Sequence, residues 1–86
     1  MSRLDPHTLR VAAHTYRSNA LVSYPGPQRK ADAAIRKLKP ILTKNEYDAL
    51  QSARICFFAD PQGHPASEFN KAWDSVFARF HVRAFY

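Results

Sequence analysis

The sequence predicts an all-α fold in which four helices form a single compact domain over residues 1–86. Two observations indicate this class. Apolar side chains recur at three- and four-residue spacing in four stretches, and prolines and glycines cluster between those stretches, where they interrupt helices. The apolar fraction of 45% and the aromatic fraction of 13% are typical of globular proteins. Because the connections are short, neighbouring helices are expected to lie mostly antiparallel.

The first two helices are predicted over residues 6–22 and 28–39. Asp5 is a favourable N-cap. Pro6 suits the first helical position because a backbone amide there would have no acceptor within the helix. Residues 23–27 contain two prolines and a glycine, which predicts a loop. Pro40 is expected to end the second helix, since the residue before a proline avoids helical angles.

The third and fourth helices are predicted over residues 43–58 and 65–81. Thr43 and Glu46 have the spacing of a capping box at the start of the third helix. The fourth helix has the most regular apolar face, so it is expected to be central to the core. The predicted core contains Trp73, Phe77 and Phe80, met by Leu9, Tyr16, Leu38, Leu50 and Phe57. A short aromatic tail is expected to fold back, with Phe85 or Tyr86 covering one edge.

Positive charge is concentrated in one stretch of the chain. The net charge is +6, and residues 29–44 carry six cations against the single acid Asp32, so they hold most of it. The cations are Arg29, Lys30, Arg36, Lys37, Lys39 and Lys44. Such a patch indicates an anionic partner, although a charged face is also what any soluble amphipathic helix presents.

Nucleic acid is the first candidate partner. The second helix is expected to contact the phosphate backbone, with Arg10 and Arg17 nearby if the first two helices pack antiparallel. Tail residues are possible further contacts that stack on unpaired bases, namely Arg79, Arg83, Phe85 and Tyr86. In a helix-turn-helix alternative, the third helix would read base edges with Lys44, Asn45 and Gln51, but Asp48 on that face would repel phosphate.

A protein partner is the alternative. A small basic helical module without catalytic residues is suited to be an adaptor or an inhibitor, for example one encoded by a phage or plasmid. It would dock on an acidic surface of a partner protein or on a nucleoprotein complex. No membrane partner is expected, because the apolar face of the second helix is mostly alanine and would insert weakly.

The sequence does not predict an enzyme, a metal site or a cofactor. Most of its acidic residues have structural roles at helix starts and turns, and two distant glycines cannot make a phosphate-binding loop. The four histidines show neither an i, i+4 pair nor a Cys-x-x-Cys partner. Cys56 is expected to be buried and unreactive. A lone cysteine, with no apolar leader or membrane-length run, predicts a cytoplasmic protein.

Overall fold

A computed structural model describes residues 4–82 of the chain. The predicted all-α class with four helices is confirmed, and no strand occurs within this range. The helices are α1 (Pro6–Asn19), α2 (Pro25–Leu38), α3 (Lys44–Ala59) and α4 (Ala66–Phe77). Short 3-10 helices follow α2 at Lys39–Ile41 and α4 at Ala78–Phe80.

The helices fall into two compact units, residues 1–43 with α1 and α2, and residues 44–86 with α3 and α4. Each unit is a helical pair joined by a short connection. The single domain that the sequence predicts over residues 1–86 stays a prediction.

In the first unit, α1 begins as predicted and ends earlier. The Asp5 carboxylate accepts a hydrogen bond of 2.8 Å from the backbone amide of Thr8, which satisfies one of the free donors of the first turn. Hydrogen bonds from the Thr8 side chain and then from the Thr8 backbone amide lower the pKa of Asp5, because they favour the charged carboxylate. The helix ends at Asn19, before the predicted residue 22, and the side-chain Nδ2 of Asn19 donates to the Thr15 carbonyl at 2.8 Å.

The start of α2 corrects the prediction of a loop at residues 23–27. Pro25, Gly26 and Pro27 form the first turn of α2, and the backbone amide of Gln28 donates to the Tyr24 carbonyl at 3.1 Å. Proline interrupts the interior of a helix but is tolerated in its first turn, where its missing amide would have no helical acceptor. The end at Leu38, just before the turn that holds Pro40, follows the prediction.

The side chain of Gln28 ties the two helices of this unit together. Its Nε2 donates to the Val22 carbonyl at 2.6 Å and to the Ala20 carbonyl at 3.0 Å. Carbonyls at the end of a helix have no partner within the helix, so the amide satisfies them. The start of α2 therefore lies beside the end of α1, and the two helices run antiparallel.

In the second unit, an ion pair connects the start of α3 to the 3-10 helix after α4. The Arg79 guanidinium donates two hydrogen bonds to the Glu46 carboxylate, from Nε to Oε2 at 2.8 Å and from Nη2 to Oε1 at 2.7 Å. Glu46 lies in the first turn of α3, and Arg79 lies in the 3-10 helix after α4. The end of α4 is thus close to the start of α3, so this pair is antiparallel as well. The capping box of Thr43 and Glu46 stays a prediction.

The fourth helix ends before the predicted residue 81. His81 adopts the left-handed conformation, with φ 61° and ψ 28°. Its amide donates to the Ala78 carbonyl at 3.0 Å, and the Val82 amide donates to the Phe77 carbonyl at 3.2 Å. These two bonds form a Schellman motif, which terminates a helix. The sequence does not signal it, because glycine is the usual residue at the left-handed position. The rest of the predicted tail, including Arg83, Phe85 and Tyr86, lies outside the described residues.

We expect His81→Gly to stabilise the protein by about 0.5–1 kcal/mol. A left-handed residue with a side chain is strained by roughly 1–2 kcal/mol, and the greater entropy of glycine in the unfolded chain offsets part of that gain. Urea unfolding followed by circular dichroism measures the change. His81→Ala is the matched control, because it also removes the imidazole but keeps the strain. A glycine variant no more stable than the alanine variant would contradict the assigned geometry.

Most of the predicted core is buried. Tyr16, Leu38, Leu50, Trp73 and Phe77 have no exposed surface. The predicted core residues Leu9, Phe57 and Phe80 are only half-buried, whereas Phe69 is buried within α4. Large side chains at the correct helical spacing therefore differ in how completely neighbouring elements cover them.

The C-terminal half of α3 departs from the expected pattern. Cys56 is half-buried, so the prediction of a buried thiol is wrong. Ile55 and Phe58, on either side of the Cys56–Phe57 pair, are 66% and 41% exposed. Conversely, Arg54 is 7% exposed. Five consecutive uncharged residues from 55 to 59 occupy more than one turn, so they cannot all lie on one buried face.

No helix of the described chain is long and apolar enough to cross a membrane.

Candidate functional site

The polar face of α2 is the candidate site, because four cations lie on it. Its four cations are exposed, while the opposite face is buried, because residues spaced by 100° sort onto two sides. The cations are Arg29, Lys30, Arg36 and Lys37. The buried residues are Ala31, Ala34, Ile35 and Leu38. The sequence-predicted separation of the two faces is confirmed.

The four cations form two rows along α2. Arg29 and Arg36 are seven residues apart, as are Lys30 and Lys37, so the members of each row are separated by about 10.5 Å along the axis. Asp32 is exposed near the arginine row. Among the ion pairs described for residues 4–82, none involves these four cations. The face therefore presents cations that are available to an external anion.

Two other predicted cations of the first unit lie elsewhere. Arg10 is exposed and Arg17 is half-buried on α1, with His14 between them. Burial, followed by the charges of Arg17 and Arg10, lowers the pKa of His14. Because residues in a helix turn by 100°, Arg10 and Arg17 lie more than about 100° around α1 from the side that faces the lysine row of α2. The antiparallel pairing is present, but it does not bring these two arginines to that row.

The end of the predicted basic stretch is divided between the units. Lys39 is exposed at the start of the 3-10 helix after α2. Lys44 begins α3 in the second unit, and its ammonium lies 2.9 Å from the Asp48 carboxylate. This hydrogen bond, together with the charge of Asp48, raises the pKa of Lys44. Lys44 is therefore paired, unlike the four cations of α2, and base readout by α3 stays a prediction.

Arg79 has a structural partner that the sequence analysis did not foresee. Besides its two bonds to Glu46, its guanidinium carbon lies 4.1 Å from the centre of the Phe80 ring. The bonds to Glu46 raise the pKa of Arg79. Thirty-three residues separate the pair in sequence, and no local pattern indicates such a contact. Arg79 thus has a role in joining α3 to the end of α4.

The structure also forms a groove between α1 and α2 that the sequence analysis missed. Its volume is about 400 Å³. From α1 it is lined by His7, Thr8, Val11, Ala12 and Thr15. From α2 it is lined by Lys30, Ala33, Ala34 and Lys37. The lysine row of α2 is therefore one rim of a groove with an apolar floor. The signals in the sequence were the apolar residue Val11, which the structure shows to be exposed, and the small residues Ala33 and Ala34.

Within residues 4–82, no three histidine, cysteine or acidic side chains lie close enough together to hold a metal ion. Comparison with known proteins finds no matching family model, no matching curated protein and no matching solved structure.

Proposed function

We propose that this protein is a small non-enzymatic binding module that contacts the phosphate backbone of nucleic acid through α2. The observation that supports the proposal is the set of four exposed cations that form no ion pair with another residue of the described range 4–82, on a helix whose other face is buried; they are Arg29, Lys30, Arg36 and Lys37. Lys44 and Arg79, by contrast, have carboxylate partners.

Contacts of this kind would position the module without reading sequence. Arginine can bind a phosphate through two parallel hydrogen bonds, and lysine acts as a point charge. Each neutralised phosphate releases condensed counterions, which supplies binding free energy that is independent of the bases. Binding to a nucleoprotein complex would use the same contacts. Cytoplasmic location belongs to this proposal, because nucleic acid is accessible there.

A protein partner is the second candidate function. Ile55 and Phe58 expose apolar surface on α3, which is more typical of a protein contact than of a nucleic-acid contact. In this alternative the module is an adaptor or inhibitor, of the kind that phages and plasmids encode, and the cations of α2 dock on an acidic surface. Exposed apolar side chains would then bury area while the charges set orientation and association rate.

The salt dependence of binding tests the nucleic-acid proposal. Four phosphate contacts predict that the logarithm of the association constant falls with the logarithm of salt concentration at a slope of about −3 to −4. Fluorescence anisotropy with labelled duplex and single-stranded oligonucleotides of unrelated sequence measures the slope. We expect similar affinities across sequences of one strand type. A slope near zero, or no binding at low salt, would contradict phosphate contact by α2.

A further inference from the structure

The groove between α1 and α2 combines an apolar floor with a cationic rim. Ala12 and Ala34 are buried and form part of the floor, and Ala33 and Val11 line the groove with exposed surface. Lys30 and Lys37 line the α2 side, and none of the lining residues that the structure describes is acidic. The volume of about 400 Å³ is within the range of pockets that bind ligands in proteins. The groove is therefore suited to a ligand that is apolar along one side and negatively charged along an edge.

The spacing of the two lysines matches the geometry of a helix. They are seven residues apart, which is about 10.5 Å along α2. Acidic residues seven apart on a second helix lying along the groove have the same separation, so both could pair with a lysine at once. Small floor residues allow helix axes to approach to about 8 Å, the lower end of helix packing distances. A partner helix packed along this groove would therefore match both the spacing of the two lysines and the narrow width that the small floor residues allow.

We propose that this groove binds an acidic amphipathic helix of a partner protein. Apolar side chains of that helix lie over Ala33, Ala34 and Val11, and two carboxylates one heptad apart pair with Lys30 and Lys37. This is helix-in-groove recognition, in which a few anchors at i, i+3, i+4 and i+7 carry the contact. A nucleobase is a poorer fit because, among the lining residues that the structure describes, the His7 imidazole is the one ring on which it could stack, and the remaining α1 and α2 side chains are aliphatic, hydroxyl or ammonium groups.

The groove is a different surface from the arginine row of α2. Ala33 and the two lysines line the groove, whereas Arg29 and Arg36 are not among the lining residues. Lys30 and Lys37 take part in both proposed contacts, whereas Arg29 and Arg36 belong to the nucleic-acid contact alone, so variants of the arginine row test nucleic-acid binding separately from the groove. Loss of oligonucleotide binding in an arginine-row variant leaves the groove proposal unaffected.

The probe is a synthetic amphipathic peptide helix of about four turns, with leucines along one face and two glutamates one heptad apart at its edge. We expect saturable binding, with amide chemical-shift changes at His7–Thr15 and Lys30–Lys37 in nuclear magnetic resonance spectra of the full chain. The control peptide carries the glutamates on the face opposite the leucines and should bind at least tenfold more weakly. No saturable binding at roughly millimolar peptide, or equal binding of the control peptide, would overturn the proposal.

Charge reversal identifies the contact. The Lys30→Glu/Lys37→Glu variant should bind the acidic peptide at least tenfold more weakly, and a peptide with lysines in place of the two glutamates should recover binding to that variant. Arg29→Glu/Arg36→Glu is the charge-matched control and should have a smaller effect. Equal losses in the two variants, or no recovery by the lysine peptide, would contradict pairing at the groove rim.

A neutral substitution keeps the proposal testable should the charge reversals disturb folding. Ala33 is exposed on α2, so Ala33→Gln should fill the groove without disturbing the core, and it should weaken peptide binding at least fivefold. Ala49→Gln is the matched control, because Ala49 is an exposed helical alanine that lines a smaller groove in the second unit. Unchanged peptide binding by the folded Ala33→Gln protein would exclude the groove as the docking site.

Discussion

Replacing Phe77 by alanine is expected to lower the free energy of unfolding by about 3–5 kcal/mol, the usual cost of removing a large buried aromatic side chain. Phe77 has no exposed surface, and its ring centre lies 4.9 Å from that of Trp73 and 6.2 Å from that of Phe80. Removal would lose aromatic contacts and leave a cavity that a small protein fills poorly. Because small domains have total stabilities of about 5–15 kcal/mol, the loss is a large share.

Phe58→Ala is the matched control for this prediction. Phe58 is 41% exposed on α3, so the same substitution removes a contact that is already partly hydrated, and we expect a cost of about 1 kcal/mol or less. Urea denaturation followed by circular dichroism measures both variants. Equal losses in the two proteins, or an unchanged midpoint for Phe77→Ala, would show that Phe77 is not a central core residue.

Reversing the charges of Arg36 and Lys37 to glutamate is expected to weaken binding to an anionic partner at least tenfold, or about 1.4 kcal/mol. Both side chains are exposed and point away from the buried face of α2, so folding should be retained. The reason for the loss is direct. Two cations that attract phosphate or carboxylate become anions that repel them, and two counterion-releasing contacts disappear.

Net charge must be separated from position in this experiment. Lys71→Glu changes the total charge as much as Arg36→Glu alone does, and Lys71 is an exposed cation of α4 in the second unit. We expect the Lys71 variant to lose little binding and the Arg36 variant to lose more. Circular dichroism and thermal melting establish that each variant folds. If the double reversal folds and binds as well as the parent, then α2 presents only a solvated face.

The double reversal also distinguishes the two candidate functions. For a nucleic-acid partner, unlabelled oligonucleotide competes for binding. The slope of the logarithm of the association constant against the logarithm of salt concentration becomes shallower by about 2 in the variant, because two phosphate contacts are lost. For a protein partner, the reversal still weakens binding, but oligonucleotide does not compete. The Ile55 and Phe58 surface on α3 then becomes the next site to change, because apolar contacts at a protein interface carry more binding free energy than charges at its rim.

The local sequence determined which segments are helical and which way α2 faces. Apolar spacing predicted all four helices, since periodicity depends only on neighbouring turns. It also placed Arg29, Lys30, Arg36 and Lys37 opposite the buried face. One error was the start of α2, because Pro25 and Pro27 interrupt a helix interior but are accepted in a first turn. The preference that placed Pro6 in the first turn of α1 applies to Pro25 as well, but two prolines around a glycine also predict a loop, and that prediction is wrong here.

Only the tertiary structure decided which cations are engaged and where a groove forms. Arg79 and Glu46 meet because α3 and α4 are antiparallel, and a pair separated by 33 residues leaves no periodic trace. The groove likewise depends on how α1 is rotated against α2, which determines that Val11 and Lys30 line it and that Arg10 does not. Helical periodicity records the direction of a side chain relative to its own axis. The neighbour that it meets depends on how a second helix is docked, and packing across the pair sets that arrangement.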